Sequence, residues 1–164
     1  MRYTTKTEYG LVSLAHLARK TFGDSLTIKE LAETEKFSPT YIEKIFQGLR
    51  AAGIVTSHAG KQGGFSLARS ASQINLKEII DALEGHTFDV FCEPEVRDNI
   101  VCTHFGGICG VRPVWARTKE LLDQFYGSLT LEMIAKGEYE AKASVAGTTD
   151  ASAPARDLMA GGAS

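Results

Sequence analysis

Apolar residues recur at helical spacing through residues 7–22, TEYGLVSLAHLARKTF, where Leu11, Leu14, Ala15, Ala18 and Phe22 share one face. A shorter face of Ile28, Leu31 and Ala32 follows in TIKELAE, and Thr27 with Glu30 predicts a capping box at its start. In residues 38–53, SPTYIEKIFQGLRAAG, Ser38 is placed to cap and Pro39 suits the first helical position. Gly53 predicts a left-handed stop. The period then changes. IVTSH and FSLAR read as two short strands joined by the tight, Gly-rich link AGKQGG. NLKEIIDALEG returns to helical spacing, with Asn75 and Glu78 at its start and Leu76, Ile79, Ile80 and Leu83 on one face.

Residues 91–110, FCEPEVRDNIVCTHFGGICG, have neither period. Beyond them, residues 112–137 carry Trp115, Thr118, Leu122, Phe125 and Leu129 at near-heptad spacing. That long stripe has few remaining partners in so small a domain, so it is expected to pair with its copy in a homodimer; packing on its own domain is the alternative. After Glu140 the chain turns to small residues without periodicity, which predicts a disordered tail.

The order of helix, short helix, helix, hairpin and helix predicts a mainly α fold with a small β hairpin, the winged helix-turn-helix arrangement. The expected division is a DNA-binding domain over 1–85, a cysteine-bearing loop over 86–111, a dimerisation helix over 112–137 and a tail over 138–164.

The third helix has two unlike sides. Ile42, Ile45, Phe46 and Leu49 face the core, while Thr40, Lys44, Gln47 and Ala51 face outward with Tyr41 and Glu43 flanking them. A hydroxyl, an ammonium and an amide on one exposed face suit phosphates and base edges of a major groove. In the hairpin, Lys61 sits at the tip between Gly60 and the pair Gly63–Gly64, and His58 and Arg69 flank it.

Charge agrees with an anionic partner at the front. Residues 1–70 hold 10 Lys/Arg against 6 Asp/Glu, a net of +4, whereas residues 71–164 hold 8 against 14, a net of −6. The polar opening MRYTTKTEYG has no signal-peptide pattern, and no run approaches the roughly 20 apolar residues of a membrane span. A cytoplasmic protein without a membrane partner is expected. No phosphate-cradling loop, nucleophile elbow or His-centred catalytic set is present, so an enzyme is not expected.

The stretches MRYTTKTEYGL, SPTYIEKIFQGLRAAGIV and GKQGGFSLAR resemble the bacterial winged-helix regulators of the Rrf family, which includes IscR, NsrR and RirA. The likeness runs from Met1 to about Gly137, and its hairpin signature spans Gly63 to Arg69. The resemblance implies a homodimer on a partly palindromic double-stranded promoter site, with Ser38, Thr40, Tyr41, Glu43 and Lys44 at the groove. Many relatives carry Arg immediately before the first wing glycine. This chain has Ala59 there, and Lys61 is the nearest substitute.

All three cysteines fall in the aperiodic stretch, spaced Cys92-x9-Cys102-x6-Cys109. In a cytoplasmic protein clustered thiols point to metal or redox chemistry more than to stable disulfides. Three soft thiolates suit an iron–sulfur cluster or zinc, and leave one coordination position for another ligand. Several members of the resembled family bind an iron–sulfur cluster through three cysteines between the same two helices. In the nitric-oxide-sensing branch an acidic side chain near the start of the first helix, from the other subunit, completes the set; Glu8 stands at that place. His104 and His86 compete with it. The spacing here is longer than the family's common one and leaves a 2Fe-2S or a 4Fe-4S cluster equally open. The residues themselves also leave open a zinc site, direct cysteine oxidation, inert thiols, or an adaptor that does not bind DNA. Glu93, Glu95 and Asp98 make the loop acidic, which disfavours a reactive thiolate.

Overall fold

The computed structural model describes residues 3–60, 63–86 and 109–138. Helix α1 (Thr5–Ala18) starts where the Thr4 hydroxyl accepts from the Lys6 N–H, and stops at Arg19, whose N–H bonds the Ala15 carbonyl. Phe22 therefore lies beyond the helix and is 64% exposed, not on its apolar face. The chain leaves the helical path here, passing Gly23 at φ +97°, so that Leu26 can return to the hairpin.

Helix α2 (Ile28–Glu35) opens with the expected capping box: Thr27 accepts from the Glu30 N–H while the Glu30 carboxylate accepts from the Thr27 N–H. Lys36, at φ 59°, turns the chain into α3 (Pro39–Ala51). Ile42, Ile45, Phe46 and Leu49 are buried, the face the spacing predicts. Ser38 takes the N-cap position without a capping hydrogen bond from its side chain. Its carbonyl accepts from Tyr41 and Ile42, and Pro39 has no N–H to satisfy at the first position. Gly53, at φ +70°, ends the helix as expected.

Strands β1 (Val55–His58) and β2 (Gly64–Leu67) pair antiparallel in register Val55↔Leu67 to His58↔Gly64. Leu26 adds a one-residue rung on the other edge of β2, exchanging both backbone hydrogen bonds with Phe65 at 2.8 and 2.9 Å. That rung explains Gly64: a Cβ there would stand 2.6 Å from the Leu26 carbonyl oxygen. A short 3₁₀ turn (Ala71–Gln73) leads to α4 (Leu76–Glu84), capped by Asn75, whose side chain accepts from Glu78.

The last helical region is two helices rather than one. Helix α5 (Val111–Ser128) ends at Leu129, and α6 (Leu131–Lys136) begins anew with Thr130 as its cap, the hydroxyl accepting from Met133. The break has a cause in the core. Leu129 is 6% exposed, and backbone bonds from Leu76 to Leu129 and from Leu131 to Ile74, both 2.8 Å, dock this junction beside the start of α4. Leu129 thus leaves the stripe to which its spacing assigns it, and α6 buries Leu131, Met133 and Ala135.

One core gathers Leu14, Leu31, Ile42, Ile45, Phe46, Leu49, Ile54, Ile74, Ile79 and Leu131, each with at most 1% of its surface exposed. Burying a side chain of this size contributes about 1.5–3 kcal/mol relative to leaving it in water. That core fixes α3 by its inner side and leaves the outer side free. Among the described residues no helix is long and apolar enough to cross a membrane. The predicted tail over 138–164 lies outside the described residues, Glu138 excepted.

Candidate nucleic-acid interface and cysteine segment

Because α3 spends Ile42, Ile45, Phe46 and Leu49 on the core, the 3.6-residue repeat pushes Thr40, Glu43, Lys44 and Gln47 into solvent, and Ser38 beside them is exposed as well. Tyr41 is different. It is half-buried, with its ring edge-on to Tyr9 at 5.7 Å and 78°, and Tyr9 itself stacks on Phe37 at 3.8 Å. This aromatic set props the start of α3 on α1.

The hairpin residues separate in the same way. His58 is exposed, and its Nε2 lies 2.7 Å from the Ser66 hydroxyl, which also meets Thr56 Oγ1 at 3.1 Å. Arg69 is occupied within the fold: Nη2 reaches the Glu78 carboxylate at 2.6 Å, and Nη1 donates to the Gln73 carbonyl at 3.1 Å. It braces the base of the hairpin against α4. Lys61 lies outside the described residues. Arg50, absent from the sequence expectation, reaches from α3 to the hairpin, with Nη1 donating to Ser57 Oγ at 3.2 Å. Its flank was legible: it stands seven residues after Glu43, two turns along one side.

The cysteine segment leaves from α4 and returns at α5, and the residues around the start of α1 bond the end of α4 and the far, C-terminal end of α5. One Glu84 oxygen accepts from the Thr4 N–H at 3.1 Å, from the Thr4 hydroxyl at 2.6 Å, and from the Thr7 hydroxyl. Lys6 Nζ donates to the Leu83 carbonyl. Tyr3 donates its hydroxyl to that of Tyr126 on α5 at 2.9 Å, with the rings edge-on at 6.3 Å. Burial pushes the Glu84 carboxyl up, but the bonds from Thr4 and Thr7 and the Lys6 charge outweigh it, and the net shift is downward. Burial, the Tyr126 bond and nearby carboxylates push the Tyr3 phenol well up, so it stays protonated.

Of the candidate ligands, Cys109 is half-buried one residue before the N-cap of α5, and Glu8 is exposed in the first turn of α1. His86 is exposed just past α4. Cys92, Cys102 and His104 lie outside the described residues, and among the described ones no three His, Cys, Asp or Glu side chains form a metal-binding group.

Residues 3–137 match the family model Rrf2, described as iron-dependent transcriptional regulator. The chain is similar to the HTH-type transcriptional regulator CymR of Bacillus subtilis, 32% identical over 144 residues that cover 86% of this chain and 96% of that one. The structure of that global cysteine regulator superposes with a TM-score of 0.69 at 29% identity, covering 84% of this chain and 98% of its own. Staphylococcus aureus CymR in its oxidized form gives 0.63 at 28% identity, over 83% and 97% of the two chains. The IscR structure from T. potens gives 0.63 at 30% identity, over 87% and 91%. The winged-helix fold, the hairpin and the family match over residues 3–137 agree: this chain belongs to the Rrf2 family of helix-turn-helix transcriptional regulators.

Proposed function

We propose that this chain is a homodimeric regulator that binds a partly palindromic promoter duplex and senses iron–sulfur status, redox state or nitric oxide through an iron–sulfur cluster. The observation that carries the DNA reading is the outer side of α3. Ser38, Thr40, Glu43, Lys44 and Gln47 all stand exposed on a helix anchored by its opposite side, beside a two-stranded hairpin. Glu43 suits a base-edge amino group rather than a phosphate, and Lys44 suits either a base or the backbone.

Pairing of two copies is supported by α5, where Val111, Val114, Trp115, Leu121 and Phe125 are between 41% and 58% exposed. These five positions fall on one side of the helix, a stripe along its 18 residues. Two copies joined there would hold two recognition helices for half-sites one DNA turn apart.

Cys92, Cys102 and Cys109 would hold the cluster, with Glu8 of the partner subunit as an oxygen ligand that exchanges more readily than sulfur. When bound, such a group supplies an electron-accepting, nitric-oxide-reactive centre. The chain's own contribution is coupling. The Thr4–Thr7–Glu84 bonds tie the α4 end of the cysteine segment to the start of α1, whose core side packs on α3, and the Tyr3–Tyr126 bond joins that start to the far end of α5.

The test is anaerobic purification followed by an absorption spectrum, iron, sulfide and zinc analysis, and a mobility shift on the chain's own upstream region. Visible charge-transfer bands with matching iron and sulfide, lost in Cys102→Ala together with cofactor-dependent DNA affinity, are expected. If Cys102→Ala leaves both unchanged, the sensing mechanism fails. A second reading is direct thiol chemistry, favoured by the likeness to a cysteine regulator that exists in an oxidized form. It predicts a colourless, metal-free protein whose DNA affinity follows thiol oxidation.

A further inference from the structure

Arg50 occupies the last turn of α3 and is exposed, as is Ser57 in β1, which accepts from its Nη1 at 3.2 Å. The guanidinium therefore spans the seam between the recognition helix and the hairpin on the open surface. No carboxylate among the described residues pairs with it. Among the ion pairs of the described residues, Arg69 is matched by Glu78 and Arg117 by Glu120, and none involves Arg50. Arg19 turns instead to the Ala135 carbonyl of α6.

A guanidinium carries five N–H donors in a planar fork, and the Ser57 bond uses one of them. The Ser57 hydroxyl accepts from Arg50 and keeps its own proton for donation. A fixed, unneutralised cation beside a free hydroxyl proton is a donor set for one oxyanion, and phosphate oxygens match the fork. Arg50 lies on the Glu43 flank of α3, and its head is turned to Ser57 of the hairpin rather than outward with Thr40, Lys44 and Gln47.

We propose that Arg50 and Ser57 form a phosphate-binding site at the seam of α3 and β1, which holds one backbone phosphate of the bound duplex. This rests on the reading of α3 as the recognition helix and adds an anchor to it. The seam sets the depth and tilt of α3 relative to the hairpin, and it contributes no base preference.

The experiment is fluorescence anisotropy of the full chain on two labelled duplexes of about three helical turns, one from its own upstream region and one unrelated. Affinity is followed across a range of salt for the wild type, R50A, R50Q, R50K and S57A. R50A is expected to weaken binding to both duplexes by the same factor, roughly tenfold, and to lower the slope of log K against log salt by about one. R50Q, which keeps a donor for Ser57 but no charge, must lose the same slope even if R50A unfolds by circular dichroism. R50K is expected to keep the slope, and S57A to keep it with a smaller loss of affinity. An unchanged slope in folded R50A and R50Q overturns the proposal and leaves Arg50 as a brace for the hairpin. A loss confined to one duplex also overturns it, in favour of base reading. A wild type that binds neither duplex at low salt removes the reading of α3, and the seam with it.

Discussion

Substituting Glu84 tests how the cysteine segment is joined to the DNA-reading domain. In Glu84→Ala the hydroxyls of Thr4 and Thr7 and the Thr4 N–H lose their shared acceptor. Thr7 is only 2% exposed, so water does not readily replace the lost oxygen. A stranded buried donor costs about 1–3 kcal/mol, and a hydrogen bond to a charged group contributes about 1.5–3 kcal/mol. Glu84 is partly open to solvent, which discounts the charged contribution, and a net loss of about 2 kcal/mol is expected. For a chain of this size that lowers Tm by roughly 4–8 °C. Glu84→Gln keeps an acceptor oxygen without charge and should lose about half as much.

The pH dependence carries a definite sign. The folded carboxyl is held below its ordinary value, so its contribution is fully present above the unfolded pKa, about 4.3, and is lost as pH falls through the lower folded value. Urea unfolding followed by circular dichroism at neutral pH and near pH 3 is the assay. The gap between wild type and Glu84→Gln should be widest at neutral pH and close as the carboxylate is protonated. A Glu84→Ala protein within about 0.5 kcal/mol of wild type at neutral pH refutes the reasoning, since that is the scatter of an ordinary surface change. So does a Glu84→Gln gap that ignores pH.

Arg69→Ala should lower stability by about 1 kcal/mol through loss of the half-exposed Glu78 pair and the Gln73 bond, while the salt slope of DNA binding stays unchanged; anisotropy separates it from Arg50→Ala. Gly64→Ala should cost about 1–3 kcal/mol in urea unfolding, because its Cβ falls on the Leu26 carbonyl and the Leu26–Phe65 rung must open. On α5, a Trp115→Glu and Phe125→Glu double variant should sediment as a folded monomer and bind the two-half-site duplex far more weakly. Retained dimer mass would move the self-association surface elsewhere.

Local signals in the chain were enough wherever a short-range rule acts alone. The Thr27–Glu30 capping box, the Pro39 start, the Gly53 stop and the buried side of α3 all depend on neighbours within one or two turns. For the same reason the exposure of Thr40, Glu43, Lys44 and Gln47 was readable: a helix with one apolar side has its other side in water. The Rrf resemblance of the hairpin signature agreed with the Rrf2 match for a related reason, since Gly64 is required by a close backbone approach.

Long-range competition decided the rest. The heptad stripe through Leu129 is intact in the sequence, yet Leu129 goes to the core because residues 74–76 offer backbone partners and an apolar socket that a straight helix would forgo. Phe22 continues the period of α1 but lies outside it, because the chain must turn to lay Leu26 beside Phe65. Arg69 and Arg50 look alike as exposed-strand and helix-end cations. Only the fold sets Glu78 against the first and a neutral Ser57 against the second, and it is this pairing that leaves one charge spent and the other available. The sequence by itself determined which side of α3 faces water; the tertiary structure decided which charges on that surface remain free to meet a phosphate, because neutralisation depends on what folding brings alongside.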